Sequence, residues 1–344
     1  MFKPIRVTFL VTSTCTARCA HCSVNSAPDR RDRLDFQRIR RSLDSLAGRG
    51  GLRTVIFAGG EPTLLKEHLF ESIAYAGSLG LSTRLVTNVA YATSVERARA
   101  TLLALREAGL DELNISADDY HLPYVPLDNI VNAWRAAKSI GFETVLAACA
   151  VGRSSRLTGA GLLEALDDPE ARLICAEDEL DTVPRQADGT IYVVYETELQ
   201  RLGRFHRELD PGEVEDIDWR SMEGGCRYAG VSPAVSPKNH LLACCGFEAE
   251  HNRILDFGAL DAEPALPLLD RAFGDLLVRC IAQKGPQFLA SFVEERSRMS
   301  PLRGRYGSMC ELCEDVTGNP QAVALLREHT DELALRLLGI GCDV

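Results

Sequence analysis

Three cysteines near the start of the chain have the spacing of metal ligands. Cys15, Cys19 and Cys22 lie in the segment STCTARCAHCSVNS, directly after the apolar run IRVTFLV. Zinc is usually held by four ligands from two paired groups, whereas this loop offers three thiolates and His21 with no second pair nearby in sequence. One loop can hold a [4Fe–4S] cluster at three irons and leave the fourth iron open to a substrate or cofactor. The spacing therefore favours an iron–sulfur cluster over zinc.

A second motif, AGGEPTL at 58–64, follows the apolar run RTVIF. Its two glycines, Gly59 and Gly60, allow the backbone to approach a ligand closely. Glu61 offers a carboxylate that can bind an amine, and Pro62 makes the turn rigid. Alone, this motif is a weak signal, because glycine and proline after a strand usually mark only a turn.

The elements that position these motifs follow a repeated βα pattern over the first 180 residues. Such alternation predicts parallel strands with helices outside, as an open doubly wound sheet or as a full or partial barrel. In each of these folds the functional loops lie at the carboxyl ends of the strands, where both motifs stand. The predicted strands are 5–11, 53–59, 82–87, 112–117, 142–151 and 171–176, and the clearest helical stretches are 35–47, 66–79, 94–108 and 127–140.

Composition and charge narrow the class of protein. The chain has 344 residues, 46% of them hydrophobic, and a net charge of −11, which disfavours binding to a nucleic-acid backbone. It contains neither an apolar run of eighteen residues nor a signal-peptide pattern, so we expect a cytoplasmic protein that does not enter a membrane. Twelve cysteines in a reducing compartment indicate metal or redox chemistry rather than disulfides.

In combination, CxxxCxxC after the first strand and GGEP after the second strongly resemble the radical S-adenosylmethionine (SAM) superfamily. The resemblance implies that the three cysteines bind a [4Fe–4S] cluster whose open iron chelates the amino and carboxylate groups of SAM. It also implies that the GGEP-type loop, Gly59, Gly60, Glu61 and Pro62, faces SAM. His21 replaces the aromatic residue that is common before the last cysteine, and we expect its ring to pack beside the cluster rather than bind it.

Two further strand ends fit the same family. LVTNV at 85–89 resembles its third-strand TNG, with Val89 in place of glycine, and NISADDYH at 114–121 resembles its fourth-strand SxD segment. The resemblance makes Thr87, Asn88, Ser116 and Asp118 candidate contacts to the ribose and carboxylate of SAM. The alternative is structural, because Asn and Asp after strands commonly cap the following helix.

A second group of cysteines lies in the last third of the chain. Twelve residues separate Cys226 from Asn239 and four separate Asn239 from Cys244, which resembles the CX9-15GX4C half of the SPASM and twitch auxiliary-cluster pattern. Asn239 stands in the glycine position, where asparagine tolerates the left-handed conformation of a hairpin turn. MCELCED adds Cys310 and Cys313. The resemblance thus implies a second, auxiliary [4Fe–4S] cluster on four thiolates, and structural zinc on the same thiolates is the alternative.

Cys245 is surplus to this set. It can pack as a small hydrophobe, or replace Cys244 as the ligand. A thiol beside an auxiliary cluster can also bind that cluster during turnover, or give a hydrogen atom to a substrate radical, which makes Cys245 a candidate catalytic residue.

The resulting prediction is an α/β protein with a (β/α)6 partial barrel at 1–185, a bridge at 186–223, a twitch-like auxiliary-cluster domain at 224–318 and a C-terminal helix and tail at 319–344. The resemblance implies that an electron, from a donor such as flavodoxin or ferredoxin, cleaves SAM reductively to methionine and a 5′-deoxyadenosyl radical. That radical then abstracts hydrogen from a substrate carbon. A protein that binds metal or a cluster without catalysis, and a redox protein that uses a CxxC pair without metal, are the other classes considered.

For the substrate, the resemblance favours a ribosomally made peptide that is cross-linked oxidatively or epimerised, and a small molecule such as an aminosugar is the alternative. The first strand begins by about residue 5, so a leader peptide would need a separate recognition protein or the barrel mouth itself. In DDYHLPYVP, the side chains of Tyr120, His121 and Tyr124 either line a peptide groove or pack under the following helix.

Overall fold

One continuous sheet runs through the computed structural model, which describes residues 3–340. Within that range the strand order is β10-β9-β8-β1-β2-β3-β4-β5-β7-β6, and the neighbours from β8 to β6 are all parallel. The strands are β1 (Arg6–Thr12), β2 (Thr54–Gly59), β3 (Ser82–Thr87), β4 (Glu112–Ser116), β5 (Thr144–Val151), β6 (Arg172–Ile174), β7 (Ile191–Glu198), β8 (Ala234–Val235), β9 (His240–Leu242) and β10 (Asp256–Ala259).

Helices follow each of the first five strands and pack on the outside of the sheet. In the first helix, Ile39, Leu43 and Leu46 are fully buried at a spacing of about one helical turn, so one face meets the sheet. The helices are α1 (Phe36–Ala47), α2 (Glu67–Ser78), α3 (Val95–Glu107), α4 (Leu127–Ala137), α5 (Gly159–Leu166), α6 (Phe205–Glu208), α7 (Ala265–Gly274), α8 (Leu276–Lys284), α9 (Pro286–Arg296), α10 (Met309–Gly318), α11 (Pro320–Glu328) and α12 (Thr330–Leu337). The predicted parallel α/β arrangement of a partial barrel is confirmed.

The sixth strand of the barrel differs from the prediction. Strand β7 pairs with β5 over eight residues, although it lies in the stretch 186–223 that was predicted as a bridge. The predicted strand at 171–176 forms only the short edge strand β6, in which Ile174 alone is buried. The reason is physical: β7 buries Tyr192, Val193 and Val194 completely, so it forms the better inner strand.

The C-terminal part of the chain attaches to the barrel through the sheet. Strand β8 pairs in parallel with β1, and β8 and β9 form the predicted antiparallel hairpin. Asn239 at its turn has φ = 67°, which confirms the expected left-handed conformation. A separate apolar core under α7 to α12 includes Trp219, Phe292 and Tyr306.

The predicted C-terminal helix is two helices, α11 and α12. The break lies at His329, whose backbone leaves the helical conformation with φ = −112° and ψ = 31°. The final part of the predicted tail, 341–344, lies outside the described residues. Among the helices of residues 3–340, none has the length and apolar character needed to cross a membrane.

The turn at Asn239 gives a stability test. Asn239→Gly and Asn239→Ala both remove the 3.0 Å hydrogen bond that the Asn239 side chain donates to Asp261, but only alanine is strained at positive φ. We expect Asn239→Ala to lower the free energy of unfolding by about 1 kcal/mol more than Asn239→Gly does. Urea unfolding followed by circular dichroism measures the difference, and equal losses in the two variants would contradict this account of the turn.

Candidate cluster and cofactor site

The predicted motifs meet around one cavity of about 360 Å³ at the carboxyl ends of the parallel strands. Among the predicted site residues outside the second cysteine group, three do not line it: Glu61, Pro62 and Asp118. The predicted site residues that do line it are Cys15, Cys19, Cys22, Gly59, Gly60, Thr87, Asn88, Ser116 and Cys245.

Gly59 and Gly60 hold the second-strand loop against the cysteine loop. The Gly60 N–H donates to the Thr12 carbonyl at 2.6 Å, and a Cβ on Gly60 would lie 2.0 Å from the Thr14 carbonyl oxygen. A Cβ on Gly59 would lie 2.7 Å from the Thr12 carbonyl oxygen, at a φ of 126°. Glycine is therefore required here by contact between the two loops, in addition to any contact with a ligand.

Glu61 is buried, with 1% of its surface exposed, and the chain itself occupies both carboxylate oxygens. One oxygen accepts from the Thr63 N–H and hydroxyl and from the Thr87 hydroxyl at 2.9 Å, and the other accepts from the Asn88 N–H at 2.9 Å. Burial raises the pKa of Glu61 in spite of these hydrogen bonds. Its side chain therefore ties the second-strand loop to the third-strand loop, a positioning role that the sequence did not reveal.

The third-strand loop reaches the cysteine loop through Asn88. The Asn88 side-chain N–H group donates to the Thr16 hydroxyl at 2.9 Å and lies 3.6 Å from the Cys15 sulfur. Val89, which replaces the family's glycine, has φ = 53° although it is β-branched, and it is fully buried. The proposed structural alternative, helix capping, is wrong for this loop, because Ser94 caps α3.

Asp118 lies behind two histidines that line the cavity. It is 3% exposed, its Oδ1 lies 2.9 Å from Nδ1 of His121, and its Oδ2 lies 3.5 Å from Nε2 of His21. Burial alone would raise the pKa of Asp118, but its contacts with His121 and His21 hold it below its usual range. Asp118 does not cap α4, which begins after Pro126. Asp118 therefore does not reach the cavity itself, but it contacts two histidines that line it.

The three aromatic residues of this fourth-strand loop take different positions. His121 lines the cavity, whereas the Tyr120 ring packs 4.8 Å from the His21 ring. Tyr124 is 46% exposed, and its hydroxyl donates to the Arg18 carbonyl at 2.8 Å.

A clamp that sequence reasoning missed holds the cysteine loop from the other side. The guanidinium of Arg204, which is 3% exposed, donates to the carbonyls of Cys19 at 2.8 Å and Ser26 at 2.5 Å. The Arg204 N–H donates to the Cys22 carbonyl at 3.1 Å. At Gly203, which has φ = 56°, a Cβ would lie 2.7 Å from that same carbonyl oxygen. Only the pair Gly-Arg in LGRF could have signalled this clamp, and such a pair is common.

The second thiol group is assembled from three parts of the chain. Cys226 donates its N–H to the Ile281 carbonyl at the end of α8, and Cys310 and Cys313 lie in the first turns of α10. Cys244 follows β9, and a Cβ on Gly246 would lie 3.7 Å from its sulfur and 3.8 Å from that of Cys310. The four thiols that were predicted to act together are thus neighbours in the fold.

Cys245 points to the other side of its segment. It lines the cavity with the three cysteines of the first loop, and it interacts with Thr8 on β1. It is also close enough to Cys226 for their charges to interact. Cys245 therefore lies between the cavity and the second thiol group.

The thiols in both groups suit a positively charged partner. Burial raises the pKa of Cys15 to about 12 and the pKa of Cys310 to about 11. A thiolate at neutral pH in such a position needs a cation, and the irons of an iron–sulfur cluster provide one. The donor sets, three thiolates beside an open cavity and four thiolates in a partly buried group, fit the two predicted clusters.

Comparison with known proteins supports the same assignment. The PqqA peptide cyclase of Rhodopseudomonas palustris is 36% identical over 114 residues, which are 33% of this chain and 28% of that protein. The GTP 3′,8-cyclase of Chlorobaculum tepidum is 35% identical over 112 residues, which are 33% of this chain and 32% of that protein. The chain thus spans about a third of the length of each of these relatives.

The fold of the chain also resembles that of a solved protein. A structure of native anSMEcpe with bound AdoMet and Cp18Cys peptide has a TM-score of 0.51 and 11% sequence identity, and it covers 98% of this chain and 100% of its own. Residues 9–154 match the family model described as the Radical SAM superfamily. This stretch contains the three-cysteine loop, the GGEP loop and the third- and fourth-strand loops, so residues 9–154 form a radical SAM domain.

Proposed function

We propose that this chain is a radical SAM enzyme that abstracts hydrogen from a carbon of a ribosomally made peptide and epimerises or cross-links it. The observation that carries the proposal is the single cavity shared by the three-cysteine loop, the GGEP loop and Cys245. When bound, the cluster and SAM supply a 5′-deoxyadenosyl radical, which takes the hydrogen. Both the name of the PqqA peptide cyclase and the peptide in the anSMEcpe structure support a peptide substrate.

The residues of this chain hold the two clusters and contact SAM. Cys15, Cys19 and Cys22 hold the first cluster, and the loop that carries them is fixed by Gly60 on one side and Arg204 on the other. Cys226, Cys244, Cys310 and Cys313 hold the second cluster. Thr87, Asn88 and Ser116 lie at strand ends around the cavity, where polar groups can contact the ribose and carboxylate of SAM.

The place of Cys245 favours epimerisation over cross-linking. Its thiol lines the cavity, so it can return a hydrogen atom to a substrate radical within the same space. In that step the S–H bond breaks and a C–H bond forms, which leaves a sulfur radical. One electron and one proton, supplied by an external donor of the flavodoxin or ferredoxin class and by solvent, restore the thiol.

A small-molecule substrate is the second candidate. The matched GTP 3′,8-cyclase is named for a nucleotide substrate, which supports this candidate. A metabolite such as an aminosugar that loses two hydrogens, with every peptide encoded beside the gene unaltered, would favour this candidate.

Anaerobic reconstitution tests the two clusters. We expect about eight irons per chain with matching sulfide, and 5′-deoxyadenosine on reduction with SAM. The Cys15/Cys19/Cys22→Ala variant should retain about four irons and lose all SAM cleavage. Loss of all iron in this variant would contradict two separate sites, and zinc in place of the retained iron would assign the second group as structural zinc. Wild-type protein with both clusters that forms no 5′-deoxyadenosine would indicate a binding protein without catalysis.

Gly60→Ala tests the contact between loops. The new Cβ collides with the Thr14 carbonyl, so it displaces the cysteine loop. We expect 5′-deoxyadenosine formation to fall on the order of a hundredfold, since a displacement of about 1 Å at a reacting centre has that effect. Gly77→Ala is the matched control, because a Cβ on Gly77 in α2 meets no atom within 4 Å. Similar rates in the two variants would refute a contact that requires glycine.

Cys245→Ala tests hydrogen return. A candidate peptide encoded beside the gene is incubated with enzyme, SAM and reductant in deuterated solvent, where an epimerised residue gains one mass unit. We expect the variant to keep both clusters and SAM cleavage but to lose deuterium incorporation. Cys175→Ala, at an exposed thiol outside the cavity, is the control. Full deuterium incorporation by Cys245→Ala with an intact second cluster would exclude Cys245 as both donor and ligand.

A further inference from the structure

Three potential metal ligands lie together at one wall of the cavity, and they differ from the predicted cluster set. The Cys19 sulfur and one ring nitrogen from each of His21 and His121 lie within 4.8 Å of one another. All three residues line the cavity, so an ion can reach them from it. Only Cys19 belongs to the three-cysteine set of the radical SAM cluster.

The hydrogen bonding of Asp118 fixes which nitrogens are free. Its Oδ1 accepts from the backbone N–H groups of Tyr120 at 3.0 Å and His121 at 3.1 Å, so the carboxylate cannot turn away. That oxygen also lies 2.9 Å from Nδ1 of His121, while Oδ2 faces Nε2 of His21 at 3.5 Å. When the His121 ring donates from Nδ1 to this carboxylate, its Nε2 keeps a lone pair. The His21 ring turns Nε2 toward Oδ2, which leaves Nδ1 on the opposite side of the ring.

A second observation points to a ligand at this place. Nδ1 of His21 is buried and has no hydrogen-bond partner, although buried polar atoms are normally paired. An imidazole whose far N–H contacts a carboxylate is the usual arrangement of a metal-binding histidine.

From this geometry we propose that the cluster-free chain binds one divalent transition-metal ion through Cys19, His21 and His121, with Asp118 orienting both imidazoles. One thiolate and two imidazoles suit Zn²⁺, Co²⁺ and Fe²⁺, and a water from the cavity completes four-coordination. Bonds of about 2.0–2.3 Å require only a modest approach of ligand atoms that already lie within 4.8 Å of one another.

This site and the predicted cluster exclude each other, because both use Cys19. The mononuclear ion therefore occupies the chain before the cluster is assembled, and it must leave or rearrange when Cys19 binds the cluster. The proposal does not depend on the proposed activity, since it concerns the chain without cluster or substrate.

Cobalt titration of the full-length, cluster-free chain under anaerobic conditions tests the site. Co²⁺ reports thiolate and imidazole ligands through its visible d–d bands and its sulfur-to-cobalt charge-transfer band. We expect His21→Gln and His121→Gln each to bind one equivalent of Co²⁺ less than wild type. Asp118→Asn should keep this site but bind Co²⁺ there roughly tenfold to a hundredfold more weakly. His68→Gln, at an exposed histidine on α2, is the control. Cobalt bound by the second thiol group is the same in all these variants and cancels in the comparison.

Cysteine variants separate this site from the cluster site. The Cys15/Cys22→Ala variant cannot hold a cluster on three thiolates, but it should keep the cobalt site, whereas Cys19→Ala should lose it. Iron reconstitution of His121→Gln should still give about four irons at the first site, because His121 is not a cluster ligand. Unchanged cobalt binding in both histidine variants, or loss of the cobalt site in Cys15/Cys22→Ala, would overturn the proposal. Loss of iron from reconstituted His121→Gln would overturn it as well, by making His121 a cluster ligand.

Discussion

The backbone contact between the first two strand-end loops determines the geometry of the whole site. Two hydrogen bonds join them, from Gly60 to the Thr12 carbonyl and from Glu61 to the Thr14 carbonyl, and no side chain fits between the two backbones at Gly60. The buried Glu61 carboxylate then connects this pair to the third-strand loop. The loops that follow β1, β2 and β3 are thus bonded to one another at the edge of the cavity, and these contacts fix the position of the cysteine loop.

The barrel and the second thiol group share a single sheet. Because β8 pairs with β1 in parallel, the strand that leads into the first cysteine loop also supports the hairpin that carries Cys244 and Cys245. Thr8 on β1 and Cys245 line the same cavity. The two thiol groups are therefore fixed relative to each other by hydrogen-bonded backbone and do not rely on a flexible linker.

Sequence patterns predicted the features that depend on local chemistry. Apolar runs identified β1 to β5, and the tolerance of asparagine for positive φ identified the turn at Asn239. The patterns missed what depends on long-range contact. The regular βα alternation ends near residue 185, so β7 was assigned to a bridge although it pairs with β5, and the clamp by Arg204 joins positions 185 residues apart. Likewise, no local signal shows that the carboxylate of Glu61 or Asp118 faces other residues of the chain.

The clamp at Arg204 has a consequence for how the protein is made. The cysteine loop leaves the ribosome early, but the arginine that closes over the Cys19 carbonyl is translated 185 residues later. At about 5–20 residues per second, the loop stays without this contact for roughly 10–40 seconds in every round of translation. During that interval the Arg204 clamp cannot form, so the order of synthesis leaves the three-cysteine loop without one of its two supports until the chain beyond residue 204 has been made.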